Sequence, residues 1–142
     1  MKTFSFVVVS FFLFVLFVPA LSVNAGSSAE EAPQSAALKW IALVDDGRYA
    51  ESWDEASQYF KASVKKDRWL TSLETGRKPL GRVIRRKLKS EQHTTSLPGA
   101  PDGEYVVIQY ETSFQNKKSA VETITPALEK DGTWRVSGYY IK

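Results

Sequence analysis

The chain of 142 residues contains no cysteine, one histidine and one methionine. Without cysteine there is no disulfide framework, no thiol chemistry and no lipidated cysteine anchor. A single histidine, His93, argues against a His-based metal site and against a Ser/His triad, both of which need imidazole in a built constellation. Charge of one sign is also missing: 19 basic and 16 acidic residues leave a formal charge of +3. The length leaves room for one domain. Only one long hydrophobic run is present, and it lies at the start of the chain.

That run splits the composition. Residues 1–25 hold 18 apolar residues, six of the eight Phe and a single charge, Lys2. Met1-Lys2-Thr3 forms a basic start, Phe4 to Val18 is nearly all apolar, Pro19 breaks a helix, and Val23-Asn24-Ala25 offers small or modest residues at a cleavage position. This layout is that of a secretory signal peptide cut after Ala25, which predicts an exported protein, periplasmic or secreted, with no membrane span after cleavage. The competing reading is an uncleaved anchor, since Phe4 to Val23 is about as long as a bilayer needs. The remaining 117 residues carry all four Trp and all six Tyr with a charge of +2.

Residues 26–35 are small, polar and Pro-containing, and read as a disordered tether to a globular domain over 36–142. Ala37, Trp40, Ile41 and Val44 follow the spacing of one helical face, and Gly47 suits a left-handed helix end. Tyr49, Trp53, Ala56 and Phe60 predict a second helix, and a third follows Ser63 as N-cap, carrying Trp69, Leu70 and Leu73. The period then changes. Arg82 to Lys89 alternates loosely, Leu97 to Gly103 is a dense turn signal, and Glu104 to Phe114 is rich in β-branched and aromatic residues. A hairpin loop is expected at Asn116 to Ser119. A third strand runs over Ala120 to Glu129, with Pro126 demanding an edge or a bulge. Asp131-Gly132 marks a last hairpin before a strand to the C-terminus. Three helices followed by four antiparallel strands predict an α+β domain.

Strand parity assigns the faces. Val106, Ile108, Tyr110 and Phe114 should meet the helices. Ile84 and Leu88 share a face with Arg82 and Arg86; Ile124 and Leu128 share one with Glu122. A buried carboxylate is costly unless paired, so Arg82 or Arg86 should pair with Glu122 beneath the helices, with Tyr110 as a hydrogen-bond donor. Such a polar patch either fixes register or forms the floor of a small-molecule pocket.

Several blocks carry a resemblance: Trp40 with Asp45-Asp46-Gly47-Arg48-Tyr49 and Ser52-Trp53; Trp69 with Arg77-Lys78-Pro79-Leu80-Gly81 and Arg85; Leu97 to Tyr105; Thr112-Ser113-Phe114; Glu122-Thr123; and Trp134 to Tyr139. From about Ala36 to Lys142 the chain resembles a bacterial exported family known only as a domain of unknown function. That family is similar to the nuclear transport factor 2-like group, related to the cystatin-like folds. The resemblance implies a cone of helices inside a curved four-stranded antiparallel sheet, with a pocket between them. The group holds ketosteroid isomerase and scytalone dehydratase and also non-catalytic binding and dimerisation modules, so the likeness brings no catalytic residues with it.

An isomerase or dehydratase of this fold needs a pocket carboxylate and a donor for a developing oxyanion. Asp54, beside Trp53, and Glu122 are the acids; Tyr110, Tyr139 and Arg86 are the donors. Asp54 equally suits an exposed helix position, and His93 an exposed loop. Trp40, Trp53 and Trp69 suit a pocket wall or simply a core. Five cations in eight residues (Arg82, Arg85, Arg86, Lys87, Lys89) invite nucleic-acid binding, but alternation divides them between two faces and the net charge is low. A solvated strand is expected instead, with no nucleic-acid partner; contact with an anionic envelope surface is the weaker alternative. Tyr105, Val107, Gln109, Val121, Thr123 and Thr125 make an outer sheet face apolar enough for a homodimer. The expectation is an exported, non-catalytic small-molecule-binding or assembly module with an interior pocket, needing no metal or cofactor. The alternatives are an isomerase- or dehydratase-like enzyme using a pocket carboxylate, and a partner-binding domain acting through its outer sheet face.

Overall fold

The computed structural model describes residues 31–142; the expected leader and residues 26–30 of the tether lie outside the described residues. Helix α1 spans Glu31–Asp45. It therefore takes in residues 31–35, which the sequence reading assigned to a disordered tether. Pro33 is compatible with this start, because the first turn of a helix has no intrahelical partner for its N–H groups, and the residue is fully buried. At the other end Gly47 adopts φ +74°. This left-handed turn lets the Arg48 N–H reach Leu43 O at 2.8 Å and the Gly47 N–H reach Val44 O at 3.1 Å.

The second expected helix is two. α2 spans Tyr49–Asp54 and α3 spans Gln58–Ser63. Ser57 between them is extended; its hydroxyl accepts from Phe60 N–H at 3.0 Å. Both short helices turn the same stripe to the core, so the apolar spacing runs through the break without marking it. Ser63 ends α3, with its hydroxyl donating to Tyr59 O. Lys65, not Ser63, precedes α4 (Lys66–Gly76), and a 3-10 turn follows at Lys78–Leu80.

The strands β1 (Val83–Thr94), β2 (Tyr105–Phe114), β3 (Lys117–Leu128) and β4 (Trp134–Ile141) form one antiparallel sheet in the order β1-β2-β3-β4. β1 runs further than the alternation suggested and includes His93, which pairs with Val106 and is exposed on a strand rather than in a loop. The hairpin between β2 and β3 turns on Gln115-Asn116, a residue earlier and shorter than expected. Pro126 sits in an interior strand, at a register shift between β3 and β4, so the bulge rather than the edge accommodates it. On the free edge of β4, the Ser57 N–H donates to Val136 O at 2.9 Å.

Val106, Ile108, Tyr110 and Ile124 are buried with α1 and α4 residues as expected, and Phe114 is buried as well. Ile84 (60% exposed), Leu88 and Leu128 are not. α1 packs on β3 and β4, and α3 on β4, leaving β1 outside the main helical cover; register shifts after Val83 and Leu88 also disturb its alternation. Conversely, Tyr105 and Thr123 of the outer face are buried. The Tyr105 hydroxyl donates to Pro101 O at 2.5 Å, beneath the preceding turn.

Candidate functional site

The centre of the fold holds a charge network drawn from every layer. β3 supplies Glu122, which is 0% exposed. Its Oε1 accepts from Arg86 Nε of β1 at 2.8 Å and from the Thr112 hydroxyl of β2 at 2.6 Å; its Oε2 accepts from the Tyr139 hydroxyl of β4 at 2.6 Å. Register explains the convergence: Arg86 lies opposite Thr112, and Tyr110 opposite Glu122, so neighbouring strands present these side chains to one face. The other end of the Arg86 guanidinium forks onto Asp45 in the last turn of α1, Nη1 to Oδ2 at 2.7 Å and Nη2 to Oδ1 at 3.0 Å. Planar bidentate pairing of this kind is specific to arginine.

Asp45 has a second arginine partner. Arg77, just after α4 and 4% exposed, donates from Nη2 to Asp45 Oδ1 at 3.0 Å and from Nη1 to Gly81 O at 2.8 Å. Its guanidinium lies 4.6 Å from the centre of the Phe114 ring. Gly81, whose carbonyl holds Arg77, turns through φ +75°, a left-handed conformation that strains any residue with a side chain, and a Cβ there would also stand 2.9 Å from Gln115 Oε1. Two carboxylates and two guanidiniums thus balance.

Burial lowers the Arg86 pKa, but the hydrogen bonds to Asp45 and Glu122 more than reverse this, and the net direction is upward. Burial, reinforced by the Glu122 charge, pushes the Tyr139 hydroxyl up. It therefore stays protonated and donates.

Beyond Tyr139 the interior is aromatic. Its ring packs edge-on to Trp40 at 5.5 Å and to Trp69 at 6.4 Å; Phe60 meets Trp69 at 5.0 Å. Trp40 Nε1 donates to Ser52 O at 2.7 Å and Trp69 Nε1 to Ser52 Oγ at 2.9 Å. These tryptophans are buried core, with their polar edges satisfied.

Of the expected site residues, Glu122 and Arg86 come together. Arg82 does not: it is exposed just before β1, and its carbonyl accepts from Gln115 N–H. Tyr110 is buried beside the network without bonding Glu122; Tyr139 and Thr112 take that role. Trp53 is half-buried, donates to Val64 O at 2.8 Å and has Lys61 and Lys66 over its ring. Asp54 is exposed and paired with Lys66 at 2.7 Å. Asp45, Arg77 and Thr112 escaped the sequence reading as site residues. Thr112 has the parity of Tyr110 and Phe114 and could have been found with them; Asp45 and Arg77 lie on helix ends, where strand parity is silent.

A groove of about 630 Å³ lies elsewhere, between α1 and the start of β4, lined by Ala36, Lys39, Leu43, Trp134 and Arg135 among others and by none of the network residues. A trough of about 450 Å³ lies on the outer face of β1, β2 and β3. Among the described residues no group of three or more His, Cys, Asp or Glu side chains is placed to hold a metal ion, and no helix is long and apolar enough to cross a membrane.

Fold and network together define an α+β protein whose N-terminal helices pack on a four-stranded antiparallel sheet around a closed charge network. The chain matches the family described as "Protein of unknown function (DUF4019)" over residues 36–139 and belongs to it. A comparison with curated proteins finds no match.

Proposed function

We propose that this chain is a non-catalytic binding or assembly module of the bacterial envelope, exported by its N-terminal leader and built as a nuclear transport factor 2-like cone. The observation that carries this reading is the saturation of Glu122. Both of its oxygens are engaged by Arg86, Thr112 and Tyr139 in a fully buried position. A general base must reach its substrate proton directly or through one water, and this carboxylate faces only protein. Asp54, the other candidate base, is exposed and ion-paired away from any apolar pocket. Small-molecule binding is better served by the groove beside α1, which is concave and combines Leu43 and Trp134 with the charged ends of Lys39 and Arg135.

Native mass spectrometry of the protein isolated from its host compartment tests this. A co-purifying mass that survives E122Q but is lost in A36W, which fills the groove, is the expected result. Loss of the ligand in E122Q at an unchanged melting temperature would return the site to the charge network. Fractionation that finds the chain uncut in the cytoplasm would remove the export reading.

The outer face supports a second reading, a homodimer. Tyr140 is half exposed there, and Val107, Gln109, Val121 and Thr125 are partly exposed. Light scattering tests it; a monomer that persists at high concentration contradicts it.

A further inference from the structure

We infer that the outer face of β1 is a docking surface for an anionic lipid bilayer. This inference rests on the envelope reading above. Arg86 points inward to Glu122, so Arg85 and Lys87 on either side point outward, opposite Ser113 and Glu111 of β2. Lys89 occupies the register shift between Leu88 and Ser90 and lines the same trough. Lys118, from β3, lines it as well. The trough thus gathers four cations and one acid, Glu111, over a floor that includes Ser113, Ser119 and Ala120.

All four cations are exposed. None makes an ion pair among the described residues, although Lys87 stands opposite Glu111 in the register. Protection of a sheet edge accounts for cations on β1. It does not require a fourth cation, two strands away, turned to the same trough. Unpaired cations spread over a sheet face complement a lateral array of phosphates. The trough has no aromatic side chain on which a base could stack, and no helix projects from it to enter a duplex groove. A bilayer surface therefore fits better than a nucleic acid.

Each cation near an anionic leaflet is worth about fivefold in partitioning, and Glu111 offsets one of them. The test is co-sedimentation of the full chain with vesicles of 30% phosphatidylglycerol in phosphatidylcholine and with phosphatidylcholine alone. The ratio of the two partition coefficients cancels the contribution of the apolar N-terminus. The wild-type ratio should be on the order of 100 at low salt and fall towards one in 0.5 M salt. R85Q/K87Q/K89Q should lower it by roughly 100-fold, while K61Q/K65Q/R68Q, with the same loss of charge on the helices, should retain most of it. Circular dichroism establishes that both variants fold. A wild-type ratio near one, or equal losses in the two triple variants, overturns the inference. So does a single-stranded oligonucleotide that displaces the vesicles and shows the same dependence on Arg85, Lys87 and Lys89. Because the vesicle assay is independent of cellular address, its failure is distinguishable from failure of the export reading, which fractionation measures.

Discussion

The two ends of the interior are held by different physics. At one end Trp40, Trp69, Phe60 and Tyr139 fill space with rings and satisfy their few polar edges locally. At the other, Glu122, Arg86, Asp45 and Arg77 form a chain of charges in which each member depends on its neighbours. Aromatic packing is non-directional and scales with buried area. The charge network adds little net energy relative to a hydrophobic substitute, but loss of one member strands another. The aromatic end therefore supplies bulk stability in a domain without disulfides. The charged end ties four strands and two helix ends together, because its members come from β1, β2, β3, β4, the end of α1 and the residue after α4.

The sharpest way to break the comparison is to strand a charge. E122A leaves Arg86 with Asp45 alone and should cost about 3–5 kcal/mol, read from the shift in urea midpoint. W69A should cost a similar amount, about 3–5 kcal/mol, but through a cavity. The two losses separate in repair: R86M/E122L, which removes the pair together, should return most of the about 3–5 kcal/mol lost in E122A. No recovery would mean the charged end stabilises the fold in the same sense as the aromatic end.

Tyr139 belongs to both ends, and Y139F keeps its ring while removing its bond to Glu122. A loss of about 1–3 kcal/mol is expected, with near-ultraviolet circular dichroism of the tryptophans unchanged. The same residue predicts a pH dependence. Burial raises the hydroxyl pKa of Tyr139, and likewise those of Tyr110 and Tyr105. The unfolded chain then ionises first, so their contribution is complete below about pH 10 and declines as pH rises above it, with Tyr139 contributing most, up to about 1.4 kcal/mol per pH unit. Urea midpoints from pH 9 to 11 should show this slope, and Y139F should lessen it. The smallest effect is expected outside both ends: D54N, at an exposed ion pair, should change stability by less than about 0.5 kcal/mol, seen as an almost unchanged melting temperature.

The sheet was legible because period-two burial depends on local order: Val106, Ile108, Tyr110 and Phe114 declare the inner face of β2 without help from elsewhere. The Arg86–Glu122 pair followed from the same parity and the cost of an unpaired buried carboxylate. Other features depended on contacts distant in sequence. The break between α2 and α3 is set by the sheet, through the bond from Ser57 to Val136, and the apolar spacing of Tyr49, Trp53, Ala56 and Phe60 is indifferent to it. Asp45 and Arg77 lie 32 residues apart on helix ends that meet only in three dimensions. The exposure of Ile84 and Leu88 reflects where the helices stop covering the sheet.

The bond from Ser57 to Val136 also governs how copies of the chain can associate. It takes one carbonyl of the β4 edge, Val136 O, into a bond with the same molecule, while β1 carries no such bond on its free edge among the described residues. A growing ribbon needs two complementary edges on every subunit. Addition at the β4 edge must first break the Ser57–Val136 bond, so the two edges of each subunit are unequal and pairing of β1 with β1 is the less obstructed route.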